Sequence, residues 1–153
     1  TFDKPLAFEI TSISFTGADD KKAPNAMLAG MRPKTEAAAK VGRISVIGPD
    51  GTPKGEYLVG FISPTGWGWA PASFGSYGNQ LFIVDAGRPA AKNGGAPDGN
   101  VYRLDNKGVV RPWASGLVDP NCMRFIGKTV VIADPAQSGK PGKGAIVVIS
   151  SML

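Results

Sequence analysis

The chain has 153 residues, enough for one domain with a hydrophobic core, and 42% of them are hydrophobic, as in ordinary globular proteins. It has one cysteine and no histidine, which excludes an intrachain disulfide, histidine-based catalysis and imidazole metal ligands. Its 17 basic and 12 acidic residues give a net charge of +5. Because there is no long basic run and no RNA-binding aromatic motif, we expect no nucleic acid partner.

Twenty-one glycines and 13 prolines favour many short strands joined by turns. No apolar run approaches the roughly 18 residues of a membrane span, so no transmembrane segment is predicted. The chain begins with Thr1 and carries no signal-peptide pattern. We therefore expect a processed product or a piece of a longer chain.

Three pairs of strands are predicted, and each pair is separated by a loop rich in glycine, proline and basic residues. An aspartate falls at or just after the end of each first strand: Asp19, Asp85 and Asp134. In chain order the pairs are 11–16 with 43–47, 81–85 with 100–105, and 129–134 with 145–150.

The repeat extends on both sides of each pair. A proline-led apolar segment precedes each first strand, with Pro5, Pro64 and Pro120 in equivalent places. After the second strand comes a polar turn, Asp50-Gly51 or Asn106-Lys107-Gly108, with residue types that hairpin turns require. Each unit is thus predicted to have four antiparallel strands, a to d, over about 50 to 60 residues. The proline-led segment is strand a, the pair forms strands b and c, and strand d follows the polar turn.

Four-stranded units at this period are typical of β-propeller blades. The predicted fold is all-β, one partial propeller domain with blades at 1–62, 63–117 and 118–153, the last without its outer strand. An ordinary β-sandwich is the alternative. Three blades form an open arc, whereas closed propellers have four to eight. The arc would be completed by the rest of its own polypeptide, by a second copy making six blades, or by another subunit.

Several segments resemble six-bladed propeller families. Residues 119–135, DPNCMRFIGKTVVIADP, and residues 99–117, GNVYRLDNKGVVRPWASGL, resemble consecutive segments of gluconolactonase, regucalcin, strictosidine synthase-like and NHL-repeat proteins. Residues 64–87 are similar to a bacterial family of secreted propellers, and residues 51–71 to sorbosone-type sugar dehydrogenases. The resemblance implies a propeller and a secreted or periplasmic location, and it leaves the activity open.

In a propeller, the start of strand a and the end of strand b lie close together on one face. This predicts Asn121 beside Asp134 and Thr65 beside Asp85, where oxygen ligands could hold Ca²⁺ or another divalent cation. The gluconolactonase resemblance implies that Asn121 is a metal ligand, although Cys122 stands where glycine is usual. The alternative is structural, with Asp85 and Asp134 accepting backbone N–H bonds.

The loops between strands b and c are predicted to share that face and to carry nine basic residues. A positive rim would attract an anionic ligand, although loops kept soluble by lysine give the same pattern. The nine are Lys21, Lys22, Arg32, Lys34, Lys40, Arg88, Lys92, Lys140 and Lys143.

Trp67 and Trp69 are two apart on a strand and so point the same way. They are expected to pack between blades, with a sugar-stacking platform as the alternative. Cys122 is predicted to be a buried, unreactive thiol, and Trp113 to belong to the core.

Two functions remain open. The first is a non-catalytic propeller that binds a ligand or protein partner, such as an anion or a sugar, through its loop face. The second is an enzyme of the metal-dependent lactonase or quinone-dependent sugar dehydrogenase kind, with part of its site outside this chain. No catalytic residue is predicted within the chain itself.

Overall fold

The computed structural model describes residues 8–18, 20, 22–34, 41–88, 98–135 and 144–150. Within these ranges the fold is all-β, with three antiparallel sheets of four, four and three strands in chain order and one short 3-10 turn. No helix long and apolar enough to cross a membrane occurs in these ranges. The strands are β1 (Phe8–Phe15), β2 (Met27–Pro33), β3 (Gly42–Ile47), β4 (Pro53–Phe61), β5 (Pro64–Trp69), β6 (Leu81–Asp85), β7 (Gly99–Leu104), β8 (Val110–Leu117), β9 (Cys122–Ile126), β10 (Thr129–Asp134) and β11 (Ala145–Ser150).

Each sheet is a simple meander, because every strand pairs with its neighbour in the sequence. The first sheet has the order β1-β2-β3-β4, the second β5-β6-β7-β8 and the third β9-β10-β11. The chain forms two compact units, Thr1–Pro64 with the first sheet and Thr65–Leu153 with the other two. Whether the blades end at 62 and 117, as predicted, stays a prediction.

The predicted strand pairs are confirmed in the second and third sheets, with β7 displaced by one residue. In the first sheet the prediction is wrong. The prediction makes residues 11–16 strand b, the second strand of this sheet. Residues 11–15 lie instead in the first strand, β1, which runs from Phe8 to Phe15 with a register shift between Ile10 and Ser12. The second strand is β2, in the segment that the sequence pattern assigns to a loop. The sequence pattern does not predict β2 because the strand contains Gly30 and ends in Arg32-Pro33, and glycine and proline weaken a strand pattern.

The two hairpin turns predicted from Asp50-Gly51 and Asn106-Lys107-Gly108 are confirmed. Gly51 and Gly108 both have φ of +78°, which a residue with a side chain rarely adopts. The Asp105 carboxylate accepts the N–H groups of Lys107 and Val109, and an ion pair with Arg111 at 2.6 Å adds to these bonds. The Arg111 bond and the backbone bonds together lower the pKa of Asp105 to about 2.

The second and third sheets pack face to face around an aromatic core. Phe74 and Phe82 are fully buried, and the Phe125 ring of β9 meets them edge-on at 5.0 and 5.4 Å. Trp113 of β8 packs edge-on to Phe82 at 5.0 Å, so the prediction that it belongs to the core is confirmed. Aliphatic side chains complete the cluster: Val84, Val101, Leu117, Met123, Val130 and Ile132.

Two glycines of β5 let the first strands of these two sheets approach closely. A Cβ atom at Gly66 would lie 3.4 Å from the Cα of Cys122, and one at Gly68 would lie 3.7 Å from the Met123 methyl group. Both distances are ordinary contact, so a larger side chain at either position would push β9 away. The inner face of the third sheet is thereby fixed against the second sheet.

Phe82→Ala is expected to lower the free energy of unfolding by about 3 to 5 kcal/mol, because it opens a cavity between the two sheets. Combined with Phe125→Ala it should show a coupling of about 0.5 to 1.5 kcal/mol, since the two rings touch edge-on. Denaturant unfolding of the single and double variants measures both quantities. Val109→Ala, at a half-exposed position in the β7–β8 turn, is the control and should change stability by less than about 0.5 kcal/mol.

Candidate functional site

Three of the predicted site residues, Thr65, Asn121 and Asp134, belong to or bond to the link between the second and third sheets, residues 118–121. Asp134, the last residue of β10, is fully buried, and its carboxylate oxygens accept the N–H groups of Val118 at 2.8 Å and Asp119 at 3.0 Å. Charged acceptors make roughly twice as strong a hydrogen bond as neutral ones. Asp134 therefore fastens the link to the sheet that contains β10.

Asn121 lies beside Asp134, as the sequence predicts. It directly precedes β9, and its N–H donates to the carbonyl of Ala133 at 3.0 Å. On the other side of the link, the hydroxyl of Thr65 in β5 donates to the carbonyl of Pro120 at 2.6 Å. Thr65, Asn121 and Asp134 are thus brought together, and the bonds that the structure gives them hold the backbone in place.

Asp85 occupies the same place in the second sheet as Asp134 in the third. It is the last residue of β6, it is buried, and one carboxylate oxygen accepts the N–H of Gly87 at 3.2 Å. In the third sheet, Asp134 pairs with Ala145, the residue after Gly144. In the first sheet, the residue paired in this way is Met31, whose partner Arg43 follows Gly42. Met31 therefore holds the equivalent position in the first sheet. The aspartate is therefore a feature of two sheets and not of all three.

Both oxygens of Asp134 are occupied by backbone donors, which is the structural alternative to a metal site. Within the described ranges no group of three or more cysteine, aspartate and glutamate side chains is placed to hold a metal ion. The expected cation at Asn121 and Asp134 stays a prediction that no contact of these residues supports.

The acid assigned to the first sheet has a different role. Asp19 lies outside the described residues. Asp20 lies in the β1–β2 link, where its carboxylate accepts the N–H groups of Lys22 and Ala23 and the hydroxyl of Tyr57, at 2.7 to 2.9 Å. Burial alone would raise the pKa of Asp20, and these hydrogen bonds outweigh it and lower the pKa. Burial and the bond to Asp20 raise the pKa of Tyr57.

The predicted basic rim is smaller than nine residues, because β2 divides the segment that carries five of them. Lys22 precedes β2 and so lies at the opposite end of the first sheet from Lys34, while Arg32 is within β2 and pairs with Glu9 at 2.9 Å. Arg88 is exposed, and its N–H donates to the Asp98 carboxylate at 3.1 Å. The other rim lysines lie outside the described residues: Lys21, Lys40, Lys92, Lys140 and Lys143.

The two tryptophans of β5 are only partly covered. Trp69 keeps 51% of its surface exposed and Trp67 is half-buried. The prediction of a buried thiol at Cys122 is wrong, since Cys122 is exposed at the start of β9. Side chains alternate along a strand, so Cys122 points away from the face that Met123 directs into the core.

Asp134→Ala is expected to destabilise the protein by about 2 to 4 kcal/mol, because the buried N–H of Val118 and the partly buried N–H of Asp119 lose their carboxylate acceptor. Thermal and denaturant unfolding measure the change. Asp119→Ala, which removes an exposed carboxylate from the same link, should cost less than about 0.5 kcal/mol. If the site binds a metal instead, Ca²⁺ will raise the melting temperature of the wild-type protein but not of Asp134→Ala.

Tyr57→Phe is expected to lower stability at pH 7 through the Asp20 carboxylate. Because the pKa of Asp20 is lowered in the folded state, its contribution is present above its ordinary value of 3.8 and is lost as the pH falls through the lowered pKa. The stability difference between wild type and Tyr57→Phe should therefore shrink below about pH 4. Tyr77→Phe is the control, since its ring lies under Arg103 and its difference should not follow Asp20. A difference that stays constant from pH 7 to pH 3 contradicts the assignment.

No family model, no curated protein and no solved structure matches the chain. The likeness of residues 42–150 to six-bladed propeller families therefore remains a resemblance carried by the quoted segments. Any function of the chain has to be argued from the geometry of its own sheets.

Proposed function

We propose that the chain is a non-catalytic binding module of propeller type, and that it binds an anionic partner. The binding surface is the end of the second and third sheets where β6 leads to β7 and β10 leads to β11. Arg88, Lys92, Lys140 and Lys143 supply the positive charge, and the partner is a sulfated or carboxylated polysaccharide or an acidic protein surface.

The observation that carries the proposal is that both links leave the sheets beside the same segment, residues 118–121. Asp134, at the end of β10, binds the N–H groups of this segment. Gly99, at the start of β7, lies against it from the other side, since a Cβ atom there would be 2.5 Å from the Pro120 ring. The described ends of the two links, at Gly99 and Asp134, therefore lie on either side of one segment.

The charge of these two links supports an anionic partner. Residues 86–98 and 135–144 together carry four basic residues and one acid, Asp98. The Asp98 carboxylate accepts a hydrogen bond from the backbone N–H of Arg88. The backbone carbonyl of Asp98 accepts one from the side-chain amide of Asn100 at 2.8 Å. A surface with one sign of charge speeds the encounter with an oppositely charged partner and discriminates against like-charged ones.

The recurrence of one sheet plan supports the propeller part of the proposal. In two sheets a threonine of the first strand donates its hydroxyl to the carbonyl of the proline that opens the next repeat, Thr11 to Pro64 and Thr65 to Pro120. The bond recurs at nearly the same sequence separation, 53 and 55 residues. A bond that recurs at one sequence spacing is what successive repeats of one plan require.

Arg88→Glu/Lys140→Glu, with one reversal in each link, is expected to weaken binding to heparin by about tenfold or more. Binding is measured by titration at several salt concentrations, and the wild-type affinity should fall as salt screens the charges. Lys107→Glu/Lys128→Glu is the matched control, with the same change in net charge at the other end of both sheets. Equal losses in the two double variants, or equal binding of wild type to neutral dextran, contradict the proposed surface.

A further inference from the structure

Within the described residues, two sheet faces carry exposed apolar side chains. On the first sheet, one face carries an open cavity of about 190 Å³ lined almost entirely by apolar atoms. Ile13 and Phe15 beside it keep 58% and 73% of their surface exposed. We call this the first-sheet open face, and it comprises Ile10, Ile13, Phe15, Met27, Ala29, Met31 and Ile47, of which Ala29, Met31 and Ile47 are already buried within one chain.

The third sheet has the second open face, on the side away from the aromatic core. Ile126, Ile146 and Val148 are 60 to 66% exposed there. The register of β9, β10 and β11 places Val131 and Ala133 on the same side, and it also places the polar residues Arg124, Thr129 and Ser150 there. We call the five apolar residues Ile126, Val131, Ala133, Ile146 and Val148 the third-sheet open face. Contiguous apolar patches of this kind on a protein surface mark interaction sites.

The repeat shows what each face is built to meet. Phe15 pairs with Met27 and Phe125 pairs with Val130, and these partners lie four residues before the equivalent positions Met31 and Asp134. Phe15 is therefore the counterpart of Phe125, whose ring packs on Phe74 and Phe82. The first-sheet open face thus corresponds to the inner face of the third sheet.

The third-sheet open face corresponds in turn to the surface on which that inner face rests. Counting from Asp85 and Asp134, Val131 and Ala133 occupy the places of Phe82 and Val84. Ile146 occupies the place of Val101. The three counterparts in the second sheet all belong to the buried core that the third sheet covers. The first-sheet open face is thus the equivalent of the inner face of the third sheet. The third-sheet open face is the equivalent of the second-sheet surface on which that inner face packs.

We propose that a second copy of this chain covers both faces, with the first-sheet open face of each copy packed on the third-sheet open face of the other. The inference rests on the propeller plan of the proposed function. Such contacts are heterologous and either close into a ring or continue as a fibre. Closed propellers have about four to eight blades, and with the three sheets that the described residues of each copy form, two copies fall within that range.

The wild-type chain is therefore expected to run as a dimer, at twice 15.9 kDa, in sedimentation velocity and light scattering at micromolar concentration. Phe15→Glu and Val148→Glu should each be monomeric, because each places a carboxylate in the covered core of both contacts. Both side chains are exposed within one chain, so the variants should fold with wild-type circular dichroism. Val109→Glu, an exposed apolar residue outside both faces, should remain a dimer.

Mixing the two monomeric variants tests the head-to-tail geometry. An equimolar mixture of Phe15→Glu and Val148→Glu contains one undamaged pair of faces, so a dimer weaker than wild type should appear that neither variant forms alone. Cys122 is exposed on the same side of β9 as Ile126, and a maleimide should label it more slowly in wild type than in Phe15→Glu. A variant that stays dimeric alone, or a mixture that stays monomeric, overturns the arrangement.

The outcome can be separated from that of the proposed function. A wild-type monomer that binds heparin through Arg88 and Lys140 overturns the dimer and leaves the binding surface standing. A dimer that binds heparin no better than neutral dextran overturns the binding surface and leaves the dimer standing. Assemblies that grow with concentration beyond two chains overturn the closed ring.

Discussion

The contact between the second and third sheets is the interaction on which the rest of the molecule depends. Phe74, Phe82 and Phe125 meet edge-on at its centre, and glycines in β5 let β9 approach closely. This packing fixes the link of residues 118–121, whose N–H groups Asp134 then binds. The same packing buries one face of the third sheet and leaves the other exposed, because alternate residues of each strand point to opposite sides.

The sequence predicts the strands well where apolar and β-branched residues run without interruption. β6, β10 and β11 are such strands, and for each the predicted bounds are those that the structure gives. The pattern misses β2 because Gly30 and Pro33 weaken it. A signal is nevertheless present: NAMLAGMRP at 25–33 has the same plan as NQLFIVDAGRP at 79–89. The missed strand moves Lys22 to the other end of its sheet, so one strand error also misplaces part of the predicted rim.

The sequence points to a location for the candidate site but does not decide its chemistry. Proline spacing and the aspartates at strand ends predict Asn121 beside Asp134 and Thr65 beside Asp85. The Asn121 N–H bonds to the carbonyl of Ala133, next to Asp134, and the pairing of Thr65 with Asp85 stays a prediction. Sequence cannot decide between a metal ligand and a backbone acceptor, because a carboxylate serves both and the choice depends on which N–H groups lie within reach. The error at Cys122 has a similar cause, since a one-residue difference in register moves a side chain from one sheet face to the other.

The repeat also explains why the open faces are not defects of the fold. Phe15 and Phe125 hold equivalent places, yet one is 73% exposed and the other packs in the core. The difference lies in the neighbour that each sheet has along the chain, and not in the sheets themselves. A meander of this kind buries its faces only against its neighbours, and Ile13, Phe15, Ile146 and Val148 stay exposed within the described residues. Since an exposed apolar face beside a sheet edge promotes aggregation, these residues are best explained by a surface that is covered when the protein is assembled.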